Sequence, residues 1–575
     1  MRYSVRNLSS NGLLAVLFLG WWILKLVQAG FTGLADDEAY YWLFARSLDW
    51  GYFDHPPVTA LLTAMGDFVG GALGIRLFFT VLQPLALYLF WTLIRPENPT
   101  RRDAVLFFLI CFSLPVAQLY GFIATPDAPL MFSVVVFLWA YRRICTAETP
   151  LNVCLLGMAM ALMAYSKYHG ALVLVFTVLS NPKLLKRPAF YLSGVITVIL
   201  FLPHLVWQYQ NDWVSFRYHL VGRNGFFEWN NLTDFIMNLL LIFNPFFVWF
   251  YIRGWGKGEY AFRPLQRALC FNVIGFILFF SFSSLRGYVQ PQWVLPITYG
   301  LIMTVFGYAR INGKAYRFVY RSALALSVLM IPVRYVAIFN PFGIKFEIFD
   351  NEKSYSQIAE CADGRPVLFA SSYATASKYL YYTGNSVYSQ PNVNYRTSQW
   401  QFYDFDRDMT GQEVLVEIPD EYIDASTPFI TLENGKSFHY GLVSDFHPVR
   451  EVTMSFSGTV PEAVNPGDVI SGNLLVRNPY PYDITIGADS LKLEMLWGRN
   501  KEQFSEYDVY PGIAVIPSRD SISLPLSFTV PERLQVKPRY GNPDGNLTYR
   551  VGFALRYGPL SAWIQSEEWK VTLCH

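Results

Sequence analysis

A polytopic helical membrane domain, then a small α/β module, then a C-terminal immunoglobulin-like β-sandwich is the fold that this sequence predicts. Three observations carry the expectation. The 575 residues are 53% hydrophobic and only 15% charged, whereas an ordinary soluble chain carries about 25% charged residues. Long apolar runs follow one another as far as Asn340 and then stop. Beyond Pro341 the hydropathy becomes that of a soluble protein, and from Glu451 onward short β-type stretches alternate with turn signals. The same composition argues against disorder and against an ordinary cytosolic enzyme. Charge is nearly balanced, with 45 Lys+Arg against 43 Asp+Glu, so there is no basic footprint and no nucleic-acid partner is expected. Six cysteines without CxxC spacing exclude a disulfide scaffold.

The first apolar run is 12–27. No small-residue cleavage site follows it, so it reads as an anchor and not as a removed signal peptide. Further runs lie at 74–94, 104–121, 128–141, 151–165, 169–181, 189–206, 234–252, 268–283, 292–309 and 322–339. With roughly 20 apolar residues needed per span, they predict about eleven spans. One set of alternating loops collects the bases, from Arg2 and Arg6 through Arg95, Arg101, Arg102, Arg142 and Arg143, then Lys183 to Arg187, Arg253 to Arg267, and Arg310 to Arg321. The opposite loops hold Asp36, Asp37, Glu38, Asp49, Asp54 and Asp127. Positive loops stay in the cytoplasm. The N-terminus is therefore expected inside and the tail outside.

The soluble half divides by pattern. Residues 341–447 mix short β runs at 366–370 and 413–418 with a helical stretch at 374–382, an α/β module. Residues 448–575 read as strands at 452–458, 469–477, 491–497, 521–530, 549–557 and 569–573, the spacing of a β-sandwich. Residues 1–340 form the membrane domain.

The residues able to carry chemistry sit in the expected outer loops. The first loop holds Asp36-Asp37-Glu38 and later Asp54-His55-Pro56-Pro57. Acids beside a span are costly unless solvated or used. A solvated loop with an interfacial Tyr/Trp belt explains them equally well. Asp127 abuts a span between Pro126 and Pro129, where a plain helix N-cap would also account for it. Lys167, Tyr168 and His169 form a short outer connection, and a lysine there either snorkels or meets an anion. Arg217, His219, Arg223 and Arg286 are the remaining outer cations or near-cations, suited to a phosphate or to ion pairs with the outer acids. His219 and Arg223 are four apart and share a face if helical. Together, carboxylates able to act as general base and cations able to neutralise a leaving phosphate suit transfer of a group from a lipid phosphate.

These segments resemble the bacterial members of the dolichyl-phosphate-mannose protein mannosyltransferase superfamily. The resemblance rests on Asp37-Glu38 followed by aromatics, Tyr52-Phe53-Asp54-His55-Pro56-Pro57, Thr125-Pro126-Asp127-Ala128-Pro129-Leu130, Ser166-Lys167-Tyr168-His169-Gly170, Gln292-Trp293-Val294-Leu295-Pro296 and the stretch from Phe369 through Tyr381. It covers roughly residues 30–400, and lipid A aminoarabinose transferases are close relatives of that group. It implies a GT-C membrane glycosyltransferase of the bacterial cytoplasmic membrane. The implied donor is a polyprenyl-phosphate (undecaprenyl-phosphate) sugar, and the implied acceptor an envelope lipid, glycan or protein hydroxyl. By resemblance Asp37 is the principal catalytic carboxylate, Glu38 stands beside it, and Asp127 is the second acid. Asp54, His55, Lys167, Tyr168, Arg217, His219, Arg223 and Arg286 are then substrate-binding. Asp37, Asp127 and His219 are the candidate ligands for a possible divalent metal. The chain departs from the aminoarabinose transferases where Asp54-His55-Pro56 stands in place of Glu-Lys-Pro. Two rivals share the topology: a ligase for pyrophosphate-linked glycans and a polyprenyl-lipid transporter.

Overall fold

The computed structural model describes residues 8–222, 228–258, 260–370, 372–393, 396–487, 491–498, 504–531, 547–558, 560 and 562–574. The chain divides into two compact units, Met1–Phe349 and Asp350–His575.

The first unit is helical. It runs α1 (Ser10–Phe31), α2 (Asp36–Ala45), α3 (Val58–Gly66), α4 (Gly71–Ile94), α5 (Arg101–Phe112), α6 (Pro115–Leu119), α7 (Asp127–Thr146) and α8 (Pro150–Ser166). It continues α9 (Gly170–Ser180), α10 (Pro188–Gln210), α11 (Val214–Arg217), α12 (Trp229–Ile242), α13 (Val248–Arg253), α14 (Arg263–Ser284), α15 (Thr298–Ile311) and α16 (Gly313–Phe339). Each of the eleven apolar runs is a helix or a helix pair. Seven helices are long and apolar enough to cross a membrane, or eight if the pair α12 and α13, bent by 88°, is one span. The runs in α8 and α9 make helices of 17 and 11 residues, shorter than the roughly 20 residues of a full span. The chain is a multi-pass membrane protein.

Local chemistry starts the helices. Ser9 caps α1 by accepting from Gly12 N at 3.1 Å, and Thr100 with Asp103 forms a capping box on α5. Pro84, Pro203 and Pro332 lie inside α4, α10 and α16, where a missing N–H bends a helix. Aromatic rings fill the core, among them Phe18, Trp91, Phe107 and Phe306.

The base-rich loops gather at one end of the bundle. There Arg101 donates to Leu8 O at 2.8 Å, Arg310 pairs with Asp103 at 2.9 Å, and Arg187 pairs with Glu148 at 3.2 Å. The acid-bearing loops meet at the other end. Two of them differ from the sequence expectation of plain loops. The three acids Asp36, Asp37 and Glu38 form the first turn of α2, where the positive end of the helix dipole favours them. Residues 58–66 fold as α3, because Pro57 breaks the chain ahead of an apolar stretch.

The second unit begins with α17 (Asn351–Ala362), β1 (Val367–Phe369), α18 (Tyr373–Thr383), β2 (Val387–Ser389), β3 (Gln412–Glu417), β4 (Phe429–Thr431) and β5 (Ser437–Phe446). Their sheet has the order β2-β1-β3-β5-β4, with β1 parallel to both neighbours and β5 antiparallel. Then follow β6 (Thr453–Phe456), β7 (Ala463–Val464), β8 (Val469–Arg477), β9 (Ile484–Ile486), β10 (Leu491–Gly498), β11 (Phe504–Asp508), β12 (Ala514–Ile516), β13 (Ser521–Thr529), β14 (Leu547–Tyr557) and β15 (Trp569–Leu573). A sheet β11-β10-β14-β15-β7 faces a sheet β13-β8-β6. Phe456 and Phe528 of the smaller sheet pack on Phe553 of the larger at 5.5 and 5.9 Å between ring centroids.

Candidate active site at the acid-bearing end of the bundle

Buried charge organises this end. Glu38 is fully buried and faces Arg76, which projects from α4 and is also fully buried. Every N–H of the Arg76 guanidinium finds an acceptor. Nε donates to Glu38 Oε1 at 2.7 Å, and Nη2 donates to Glu38 Oε2 at 2.5 Å and to Gly33 O at 2.8 Å. Nη1 donates to Ala29 O at 2.9 Å and Thr32 O at 2.6 Å. Those carbonyls lie at the C-terminal end of α1 and just beyond it, groups that a helix end leaves open. The Glu38 carboxylate also accepts from Ala35 N at 3.0 Å and from Ala124 N at 2.7 Å. It thereby ties the start of α2 to the loop before α7. With its oxygens committed to these four donors, Glu38 is placed to hold the site in shape.

Asp37 is half-buried in the same first turn. Around the corner of that loop, Tyr120 lies within electrostatic reach of Asp127, Asp37, Tyr288 and Glu347. The Tyr120 hydroxyl donates to Gln292 Oε1 at 3.0 Å. Glu347, from the segment after α16, accepts from Asp36 N at 3.3 Å. The charges of Asp37, Asp127 and Glu347 all act on Tyr120, whose hydroxyl donates to Gln292.

Asp127 is not an N-cap. It is the first residue of α7, the cap position is Pro126 with no side-chain bond, and the Asp127 carboxylate takes Lys167 instead. The pair is 2.7 Å apart and buried on both sides. Lys167 therefore carries a charge that the protein itself balances. Beside Asp127 lies a cavity of about 30 Å³ lined by Gln83, Tyr120, Asp127 and Thr298 among others.

The remaining candidates form a second group. His219 Nε2 donates to Asp54 O at 2.8 Å, so that nitrogen carries the proton. The His219 ring lies 6.1 Å from His55 and 5.4 Å from Tyr168 between centroids. Tyr168 O–H meets His204 Nε2 at 3.0 Å, while His204 Nδ1 meets Trp50 O at 2.7 Å. A carbonyl only accepts, so Nδ1 carries the proton of a neutral ring and Nε2 accepts from Tyr168. Burial pushes the Tyr168 phenol well above its ordinary value, which keeps it a neutral donor. Gln208 donates to Tyr168 Oη at 3.1 Å and to Ser215 Oγ, and Ser215 donates to Tyr52 O at 2.8 Å. This chain of bonds fastens the Asp54-His55 loop to α10 and α11. Burial also pushes Tyr52, beneath the same loop, up to about 12.

Other expectations change. His219 sits in a π-helical turn, Tyr218–Gly222, so the α-helical spacing used for its pairing with Arg223 does not apply. Arg223 lies outside the described residues. Arg217 and Arg286 are exposed at this end, Arg286 lying 6.0 Å from the Phe282 ring, and neither joins the buried groups. Asp37, Asp127 and His219 do not fit a metal. Asp127 is held by Lys167, His219 Nε2 is occupied, and among the described residues no three His, Cys, Asp or Glu side chains come together as ligands. Arg76 and His204 went unread in the sequence because they lie inside apolar runs, Gln208 because it lies just past the end of one, and Glu347 because it lies after the last one.

Residues 54–207 match the family described as dolichyl-phosphate-mannose-protein mannosyltransferase. That stretch holds Asp54, His55, Asp127, Lys167, Tyr168 and His204, and begins after Asp37. Lipid A galacturonosyltransferase RgtD of Rhizobium johnstonii (strain DSM 114642 / LMG 32736 / 3841) is 26% identical over 224 residues. The alignment takes in 36% of this chain and 45% of that protein, so the chain spans under half the length of this relative. The crystal structure of ArnT from Cupriavidus metallidurans bound to undecaprenyl phosphate is similar in fold, with a TM-score of 0.54 at 15% identity over 76% of this chain and 99% of the other. Its apo form gives 0.53 at 14% identity, over 75% of this chain and 97% of the other. The chain therefore has a GT-C fold, and residues 54–207 are similar to the mannosyltransferase superfamily.

Proposed function

We propose that this protein is a glycosyltransferase that moves a sugar from a polyprenyl-phosphate donor to an acceptor hydroxyl at the acid-bearing end of its membrane unit. The observation that carries the reading is that the charges of both Asp37 and Asp127 act on Tyr120, with Asp127 ion-paired to Lys167. The named relatives are sugar transferases, one of them acting on lipid A, and the ArnT structure holds undecaprenyl phosphate. In the proposed step Asp37 takes the proton of the acceptor hydroxyl. The oxygen attacks the anomeric carbon from the face opposite the phosphate. The bond from carbon to phosphate oxygen breaks, and the polyprenyl phosphate leaves with the electron pair, so the configuration inverts. The phosphate charge meets the exposed cations Arg217 and Arg286, with Arg223 a further candidate by sequence. Asp54, His55, Tyr168 and His219 form the wall beside it. The acceptor would be an envelope lipid, glycan or protein on the outer face of a bacterial cytoplasmic membrane.

The test uses purified protein in nanodiscs, a panel of radiolabelled polyprenyl-phosphate monosaccharides and the Asp37→Asn variant. Release of polyprenyl phosphate that depends on Asp37 is expected. Absence of release from every monophosphate donor, by protein shown to be folded, would move the assignment to a pyrophosphate-linked glycan ligase or a lipid transporter.

A further inference from the structure

Two of the four buried bases described in the membrane unit, and one half-buried base, have a carboxylate. Arg76 has Glu38, Lys167 has Asp127, and the half-buried Arg310 has Asp103. Lys25 and Arg334 do not. Lys25 is fully buried in α1, and Arg334 in α16 is 9% exposed. Lys25 Nζ donates to Gly121 O at 2.9 Å and to Gln83 Oε1, and lies 4.5 Å over the Trp21 ring. Arg334 donates to Gln28 Oε1 and Gln118 Oε1, and its Nε is buried with no partner. All these acceptors are neutral. Gln28, which Arg334 meets, is one turn along α1 from Lys25, and among the described residues no carboxylate pairs with either base.

Their position is equally specific. Lys25 is six residues before Phe31, the end of α1, and Arg334 is five before Phe339, the end of α16. At 1.5 Å per residue both lie about 8–9 Å in from the acid-bearing end. Gly121 permits the arrangement, since a Cβ there would run into Gln83 and Lys25 Nζ. Ile23, Leu24 and Val27 of α1 and Ile331 and Tyr335 of α16 flank the pair as exposed apolar side chains, the surface that faces lipid. Ionisable residues held within a membrane domain mark functional sites, and two bases without a carboxylate suit an anion.

We infer that Lys25 and Arg334 form an anion site for the phosphate of a membrane lipid, whose chain would lie along the apolar faces of α1 and α16. The inference does not rest on the transferase reading, because its readout is lipid binding. Two lipids share the chemistry, a polyprenyl phosphate and an anionic phospholipid. The experiment titrates the full chain, in zwitterionic detergent, with short-chain polyprenyl phosphate and separately with phosphatidylglycerol, and follows the melting temperature. Wild type is expected to be stabilised by at least one of them. That shift should fall by half or more in Lys25→Met/Arg334→Met and persist in Asp37→Asn. Loss confined to polyprenyl phosphate assigns the carrier lipid, and loss with phosphatidylglycerol assigns a headgroup. Should the double variant not fold, Arg334→Lys is expected to keep the shift and Arg334→Gln to reduce it. Equal shifts in wild type and the charge-removing variants, or no shift in wild type with either lipid, overturn the inference.

Discussion

At the scale of single residues, the neighbouring acids Asp37 and Glu38 are set apart by what surrounds them. Asp37 is half-buried and its charge acts on Tyr120, as those of Asp127 and Glu347 do, whereas Glu38 is sealed against Arg76. Asp37→Asn should lower the transfer rate by about 10²–10⁴-fold, the usual weight of a general base, with little change in melting temperature. A variant with full activity would remove Asp37 from the chemistry. Lys167→Met should behave in the opposite way. It strands the buried Asp127 carboxylate, a change that costs about 3–5 kcal/mol. Adding Asp127→Asn to it should restore much of the lost thermal stability, because the stranded charge goes with it; a double variant no more stable than Lys167→Met would contradict that account. The two partners are 40 residues apart, and their meeting depends on how α7 packs against α8. A sequence shows the residue types but no such pairing, which is why a helix cap is the favoured reading of Asp127 taken alone.

Elements carry the next level of argument. The Arg76–Glu38 unit joins the end of α1, the start of α2, the body of α4 and the loop before α7 through seven hydrogen bonds. A lysine cannot reproduce that fork of donors. Arg76→Lys is expected to reduce kcat with substrate KM nearly unchanged, while Asp37 stays in place, and to lower the melting temperature. A rise in KM alone would mean that Arg76 touches substrate instead of shaping the site. The apolar runs were legible as helices because roughly twenty apolar residues in a row admit little else beside a membrane. Helix α2 was not, because its Tyr- and Trp-rich sequence reads as well as an interfacial belt, and the dipole that steadies its three acids appears only once it is helical. In the second unit β8 and β15 match the expected strands to the residue. The two- and three-residue strands β7, β9 and β12 are too short to leave a pattern. That unit also makes a pH prediction. Tyr422 hydrogen-bonds Glu506, and burial pushes the Glu506 carboxyl above its ordinary value. An acid whose folded value is raised contributes stability below its unfolded value and loses it as pH rises through the folded value. The melting temperature of the full chain should therefore fall less between about pH 4 and 7 in Glu506→Gln than in wild type. An identical slope in both would show that this carboxyl does not govern the decline.

For the whole molecule the geometry constrains topology in a way that counting helices does not. Leu8 and Asn11, at the start of α1, are held at the base-rich end by Arg101 and Arg95. The segment after α16 reaches the opposite end, where Glu347 meets Asp36. A chain that enters at one end of a bundle and leaves at the other crosses an odd number of times, whether α8, α9 and the bent pair α12 and α13 are full spans or partial ones. The side then follows from charge. Arg95, Arg101, Arg142, Arg187, Arg253 and Arg310 cluster at the first end, and positive loops are retained in the cytoplasm. The second unit and the Asp37–Asp127 site are therefore expected on the outer face, where the proposed donor and acceptor would meet. Fusion of alkaline phosphatase after residue 349 should give an active enzyme, and fusion of a fluorescent protein that matures only in the cytoplasm should stay dark. A bright fluorescent fusion with inactive phosphatase at the same point would invert the topology. It would leave Asp37, Asp127 and the Lys25–Arg334 pair in the same mutual geometry but facing the cytoplasmic pool of sugar donors, and the proposed donor would have to be replaced.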